Sequence, residues 1–194
     1  MLVLDRAKLV NATVGTVEKN LTEGALLVAA ALFFLLGNWR AAIIAVLVIP
    51  FSFLMMAMGM NAFRVPGNLM SLGALDLGLI VDGAVIIIEN CLARLAHRQE
   101  HEGRLLNLRE RLEETMRASQ EMIKPTVFGQ AIILLAFAPL LMFTGVEGKT
   151  FSPMAITIML ALVAAFILAI TLVPALVALM IRGKVAEKEV WAIR

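Results

Sequence analysis

Three carboxylates interrupt an apolar stretch between Leu69 and Asn90, and they are the residues best suited to do chemistry in this chain. Asp76, Asp82 and Glu89 are the only charged residues of that stretch. An aspartate at the centre of a bilayer costs about 2.5 to 3.5 kcal/mol, so these acids offset much of the stabilisation from the neighbouring Leu, Ile and Val. Acids retained at that cost indicate a functional role, and a carboxyl group can take up and release a proton.

Helical geometry divides the three acids between two faces of one helix. Asp82 and Glu89 are seven residues apart, so they lie within about 20° of each other and about 10 Å apart along the axis. Asp76 lies on a stripe rotated by about 120°, and the acids therefore face more than one neighbour inside a bundle. Small residues let partner helices approach closely. The segment contains five of them: Gly73, Ala74, Gly78, Gly83 and Ala84.

The chain supplies no cation within its apolar stretches. Lys and Arg are absent from residues 41–63, 65–93, 125–148 and 150–181. Either the acids are kept neutral by desolvation, or their partner lies on a part of the protein outside this chain. A third reading, in which the carboxyls only hydrogen-bond to neighbouring helices, explains three acids on one span less well.

Composition indicates an all-α integral membrane protein. Of 194 residues, 61% are hydrophobic, well above the apolar share of a soluble domain. The net charge of +2 gives no reason to expect a nucleic-acid partner. The single cysteine, Cys91, excludes an internal disulfide and argues against a thiolate metal cluster, and no cofactor is expected.

The apolar runs predict five transmembrane helices, at 21–36, 41–63, 68–92, 125–143 and 152–181. In the last of these, Ser152 before Pro153 is typical of a helix start.

Polar segments flank these spans. Residues 1–20 form a polar lead, residues 183–194 a charged tail, and residues 96–122 a predicted amphipathic helix on the membrane surface. Twelve of the 17 Lys and Arg residues fall on the side that carries the amphipathic helix. The positive-inside rule therefore predicts a cytoplasmic C-terminus and a periplasmic N-terminus. The apolar face of the amphipathic helix comprises Leu105, Leu108, Leu112 and Met116.

The motifs of the chain resemble those of a known transporter family. They include FLLGNWRAA at 34–42, NLMSLGALDLGLIVDGAVIIIEN at 68–90 and TGVEGKTFSPMA at 144–155. These are similar to the resistance-nodulation-division (RND) pumps, specifically the CzcA-like branch that exports heavy metals. The resemblance implies a partial RND transmembrane half-bundle, helices two to six of the first half, with residues 1–20 ending a periplasmic insertion.

The acidic stretch carries the signature of that branch, in which DFG, DGA and VEN follow one another at three-residue intervals. The chain has DLG at 76–78, DGA at 82–84 and IEN at 88–90, so Leu77 and Ile88 depart from the usual Phe and Val. Multidrug relatives typically have VDDA at the second motif, and copper and silver relatives typically lack the first aspartate. The resemblance therefore implies a divalent-cation type.

Resemblance also implies the mechanism. The expected protein is not an enzyme but a proton-driven antiporter of the bacterial inner membrane that exports divalent metals of the zinc, cobalt and cadmium type. It would act as a homotrimer with a periplasmic adaptor and an outer-membrane channel. Asp76 and Asp82 would relay protons, Glu89 would be a supporting acid, and Asn90 completes the motif. The metal-binding residues are expected outside this chain.

Other interpretations remain open at this point. His97 and His101 are four residues apart and could share a zinc ion, although no third ligand is positioned by the sequence. The methionines between Met55 and Met60 are spaced like a thioether track, but lipid-facing or packing methionines explain them more simply. For the whole chain, the alternatives are a non-transporting membrane scaffold and an RND relative that exports hydrophobic compounds.

Overall fold

The computed structural model describes residues 22–34, 37–65 and 77–181, together with Gly15 and Lys19. These residues form five α-helices and no strand, which confirms the predicted all-α class. The helices are α1 (Thr22–Phe34), α2 (Trp39–Ala62), α3 (Leu77–Glu102), α4 (Leu108–Phe137) and α5 (Gly145–Met180), with a short 3-10 helix, Ala138–Met142, after α4.

Helix α2 begins at a turn that the sequence specifies. Gly37 has a φ of 59°, a left-handed conformation that glycine adopts without steric cost. The Asn38 side-chain oxygen then accepts a hydrogen bond from the Arg40 N–H at 3.1 Å, which satisfies one free donor at the helix start. Pro50 lies inside α2, and the helix continues through it, as transmembrane helices commonly do.

Helix α5 is the centre of the bundle. It packs against α2, α3 and α4, while α3 also contacts α2 and α4. The main core joins fully buried side chains of three helices, including Ile44 on α2, Ile87 on α3 and Val173 on α5. Small residues such as Ala165 and Ala169 on α5 allow this close packing.

The charged segment after the acidic stretch was expected to form one helix at 96–122, but it is divided between α3 and α4. Helix α3 runs on to Glu102, and Gly103 ends it with a φ of 63° and an N–H that donates to the Gln99 carbonyl at 3.0 Å. Helix α4 begins after Asn107 and continues through Pro125, so its charged and apolar halves form one helix.

The last helix begins seven residues before the expected start at 152. Thr144 is its N-cap residue, and Glu147 lies in its first turn, where a negative charge favours the helix dipole. Ser152 and Pro153 lie inside the helix. The helix continues through Pro153 although the missing N–H removes one hydrogen bond, because the packed neighbouring helices support it.

Among the described residues, three helical stretches are long and apolar enough to cross a membrane: Trp39–Ala62, Leu108–Met142 and Gly145–Met180. Helix α1 is apolar but short, with 13 residues described. Helix α3 is long but carries Asp82, Glu89 and Arg94 in its first 18 residues. The chain is thus a multi-pass membrane protein, and α1 and α3 remain predictions as spans.

Candidate functional site

The two acids that the structure describes share the outer face of α3. Asp82 and Glu89 are both exposed, and Ile86 (44% exposed) and Ala93 continue the same stripe at intervals of four, three and four residues. Asp82 makes a polar or electrostatic contact, and no hydrogen bond or ion pair joins Glu89 to the described residues. The acids therefore occupy one continuous stripe, as their seven-residue spacing predicts.

The opposite face of α3 is fully buried. Ala84, Ile87, Ile88 and Cys91 are each 0% exposed and belong to the main core. The described helices α2, α4 and α5 therefore cover the apolar face of α3 and leave the acidic stripe uncovered.

Gly83 lies directly against α4. A methyl group placed on Gly83 would lie 3.4 Å from the Thr126 methyl carbon and 3.4 Å from the Gln130 side-chain nitrogen. Any larger side chain would push the helices apart. Gly83 therefore lets α3 pack against two polar residues of α4, at the position next to Asp82 in the sequence. Of the other small residues, Gly78 is half-buried and Ala84 is buried.

Asn90, the residue after Glu89, ties α3 to α4. Its side-chain nitrogen donates to the Ala118 carbonyl at 2.8 Å, and the adjacent Cys91 thiol donates to the Thr115 carbonyl at 3.6 Å. These contacts and those of Gly83 show that the two helices run antiparallel. Asn90 thus has a structural reason to follow the acidic residue: it fixes the register of α3 against α4.

Four polar side chains of α4 lie along this interface, and the sequence analysis did not identify them. Their spacing of four, seven and four residues places them within about 60° on a helix. That spacing within an apolar helix is the signal that could have revealed them. All four are buried: Thr115, Ser119, Thr126 and Gln130.

Arginines and glutamates pair at the far end of the interface. Arg94 contacts Glu121 and lies 3.6 Å from Glu114, while Arg98 bonds Glu114 at 3.0 Å and Glu102 at 3.0 Å. The neighbouring carboxylates, with Glu121 the strongest for Arg94 and Glu102 for Arg98, raise the pKa of both arginines. This network joins the last turns of α3 to the first turns of α4.

Two further arginines hold the end of α5. Arg40 donates to the Met180 carbonyl at 3.1 Å, and Arg111 donates to the Ile181 carbonyl at 2.7 Å. The last carbonyls of a helix lack intrahelical donors and carry a partial negative charge, so cations stabilise them. The starts of α2 and α4 are thereby connected to the end of α5.

Comparison with known proteins identifies the family. Residues 1–194 match the AcrB/AcrD/AcrF family, which confirms the predicted RND relationship. The chain belongs to this family.

Its relatives in the family include proteins of metal resistance. The chain is 64% identical over 190 residues to the nickel-cobalt-cadmium resistance protein NccA of Alcaligenes xylosoxydans xylosoxydans, and 65% identical over 190 residues to the nickel and cobalt resistance protein CnrA of Cupriavidus metallidurans. Each alignment covers 98% of this chain and 18% of the relative, so the chain spans under a fifth of their length.

A solved structure shares the helix arrangement. The crystal structure of a heavy metal efflux pump matches with a TM-score of 0.73 and 41% identity, over 91% of this chain and 16% of that one. In sequence and in helix arrangement, the chain is therefore similar to proteins named for metal resistance and heavy-metal efflux.

Several candidates from the sequence stay outside this site. Asp76, Gly73 and Ala74 lie outside the described residues. His97 and His101 are exposed, and the described part of the chain contains no group of three His, Cys, Asp or Glu that could hold a metal. The methionines form no common face, because Met56 (2% exposed) and Met60 (8%) are buried while Met58 (68%) is exposed.

Proposed function

We propose that this chain carries the proton-relay segment of a proton-driven exporter of divalent heavy-metal cations. The observation that carries the proposal is the stripe of Asp82 and Glu89 on the one face of α3 that no described helix covers. Carboxyls in a membrane span cost free energy unless they are neutralised. A group that is alternately protonated and paired with a cation on a neighbouring helix meets that requirement at each step of a transport cycle.

The roles of the acids follow the motif. Asp76 and Asp82 take up and release the protons, and Glu89 supports them about two turns further along α3. The cation that alternates with the protons lies on a helix outside this chain, because residues 65–93 and 150–181 contain no Lys or Arg. Metal-binding residues lie outside this chain as well.

The relatives support a particular group of metals. NccA is named for nickel, cobalt and cadmium, and CnrA for nickel and cobalt. We extend this to a divalent cation of the nickel, cobalt, cadmium and zinc group as the exported substrate. The exporter is a homotrimer of the bacterial inner membrane, with its C-terminus in the cytoplasm, and it works with a periplasmic adaptor and an outer-membrane channel.

The proton gradient is sufficient for such export. One proton moving inward through 100 mV releases about 2.3 kcal/mol, and one unit of pH difference adds about 1.4 kcal/mol. Two protons then release roughly 7 kcal/mol, enough for a metal gradient of about five decades. This holds if the metal is collected in the periplasm, since moving a divalent ion outward across the membrane would cancel the electrical part.

A chimera tests the proposal. The chain replaces the aligned segment of CnrA, with which it shares 65% identity, in a metal-sensitive bacterium. The chimera is expected to restore growth on nickel and cobalt, and Asp82→Asn is expected to abolish that growth. Glu100→Gln is the matched control, since Glu100 is an exposed acid of α3 outside the predicted span.

Two results would contradict the proposal. One is full metal tolerance with Asp82→Asn at equal amounts of membrane-inserted protein. The other is a chimera that inserts and assembles normally but gives no tolerance, which would favour the scaffold interpretation instead.

A further inference from the structure

Two polar atoms are buried beside Gly83 without a hydrogen-bond partner among the described residues. They are the Thr126 hydroxyl oxygen and the Gln130 side-chain oxygen, on residues that are 4% and 8% exposed. An unpaired polar group buried in this way costs about 1 to 3 kcal/mol. Something must therefore supply the missing hydrogen bonds.

Five other helical hydroxyls of the described residues solve this problem locally, whereas those of Thr126 and Ser119 do not. Each of five hydroxyls donates to the carbonyl four residues earlier, the usual arrangement in apolar helices. The distances are 2.7 Å for Ser52, 2.9 Å for Thr115, 3.1 Å for Thr150, 2.7 Å for Thr157 and 2.6 Å for Thr171. The Thr126 hydroxyl instead remains available to the interface between α3 and α4.

The missing partner must be small. Thr126 and Gln130 are more than nine-tenths covered by this chain, so a side chain from another helix cannot reach them. Gly83, with no side chain of its own, is the neighbour across the interface. Water is the partner that fits a buried polar site of this kind, and it typically makes about three hydrogen bonds there.

The polar positions continue from this point toward the charged end of the interface. Pro125 has no N–H to donate to the Glu121 carbonyl, which leaves a further acceptor. Ser119 is 4% exposed, and its hydroxyl oxygen is likewise buried without a hydrogen-bond partner among the described residues. From Gln130 to Ser119 the path is about 16 Å long on a helix.

We propose that Thr126 and Gln130 hold buried water beside Asp82, and that this water carries protons between Asp82 and the Arg94 end of the α3–α4 interface. The inference rests on the proposed relay function and adds its route. The ionisable groups that border the route are Asp82 and Cys91 on α3 and the cluster of Arg94, Glu114 and Glu121 at its end, while Glu89 lies on the outer stripe of α3. The facing segments, 125–143 of α4, 150–181 of α5 and 41–63 of α2, contain no charged residue.

The test measures proton uptake into liposomes that contain the chimera. A pH gradient is imposed, and nickel is present on the side from which the protein collects it. Replacing the hydroxyl and amide with apolar groups, in Thr126→Val with Gln130→Leu, is expected to lower proton uptake about tenfold, about 1.4 kcal/mol in activation free energy. The apparent affinity for nickel is expected to stay unchanged. Thr157→Val is the matched control, because Thr157 is a fully buried hydroxyl whose partner is a local carbonyl.

Substitution of Thr126 alone separates a water-binding role from packing. Thr126→Ser keeps the hydroxyl and loses the methyl group, whereas Thr126→Val keeps the shape and loses the hydroxyl. Uptake is expected to follow the hydroxyl, so Ser retains activity and Val does not. The opposite order, or full uptake by the double variant, would overturn the inference while Asp82→Asn still blocks transport. Proton uptake by Asp82→Asn would instead contradict the proposed function itself.

A further test uses the unaltered chain, so its result does not depend on whether a variant folds. In lipid bilayers, water-to-protein polarisation transfer by solid-state NMR should reach the Thr126 and Gln130 side chains as early as it reaches Ser119. Thr157, buried with a local partner, should receive it much later. Equal and slow transfer to Thr126, Gln130 and Thr157 would show a dry interface and overturn the inference.

Discussion

The two ends of the α3–α4 interface satisfy their polar groups in opposite ways. At the Arg94 end, the buried Glu114 carboxylate lies between Arg94 and Arg98, so charge is neutralised within the chain. At the Gly83 end, Thr126 and Gln130 have polar atoms without such partners, next to an acid whose face no described helix covers. The polar groups of the first end are paired within the chain, whereas the second end has buried polar atoms that no described residue pairs.

Enlarging Gly83 should destabilise the folded protein by disturbing the Gly83 end of the α3–α4 interface. Gly83→Leu forces a side chain into the interface where even a methyl group is 3.4 Å from two atoms of α4, and overpacking of this kind costs about 1 to 3 kcal/mol. Thermal unfolding in detergent should show the loss. Gly83→Ala is the control and should be near neutral, because better helix propensity offsets the tight contact. Equal stability of the Leu and wild-type proteins would show that the helices are not closely packed there.

Removing the Glu114 carboxylate should destabilise the Arg94 end of the α3–α4 interface. Glu114→Ala leaves Arg94 and Arg98 without their shared partner, and a hydrogen bond to a charged group contributes about 1.5 to 3 kcal/mol. Glu113→Ala, at an exposed neighbouring position, is the control. Thermal unfolding measures both, and the expectation fails if the two variants are equally stable.

Loss of an arginine at the end of α5 should have a smaller effect. Arg111→Met removes the donor to the Ile181 carbonyl and should cost about 0.5 to 2 kcal/mol. Hydrogen exchange at the last turn of α5 should rise, while Arg117→Met, at an exposed position, should leave it unchanged. Unchanged hydrogen exchange in Arg111→Met would contradict the inference that Arg111 stabilises the last turn of α5.

The smallest expected effect concerns an exposed pair. The Arg104 guanidinium, with the Asn107 N–H, lowers the pKa of Glu110 from 4.5 to about 2. A lowered pKa stabilises the folded state above the unfolded value of 4.5, and that contribution disappears as the pH falls toward 2. NMR titration of the Glu110 carboxyl should show the low value, and Arg104→Gln should return it toward 4.5. A normal pKa in the wild-type protein would mean that the pair does not persist in solution.

Residue spacing was sufficient to predict the acidic stripe, because two acids seven residues apart on a helix share a face in any packing. It was also sufficient for α2, where Gly37 and Asn38 define the start. The start of α5 was not predictable from Ser152 and Pro153, because proline is tolerated within a supported helix. The polar positions of α4 were not predicted from the sequence, because the contact of Thr126 and Gln130 with Gly83 depends on how α3 packs against α4.

The central claim is that Asp82 exchanges protons during metal export. The most direct measurement is proton uptake into liposomes containing the chimera, started by nickel, for the wild type, Asp82→Asn and Glu100→Gln. The account predicts uptake by the wild type and by Glu100→Gln, and none above background by Asp82→Asn. Nickel-dependent uptake by Asp82→Asn at the wild-type rate would contradict it.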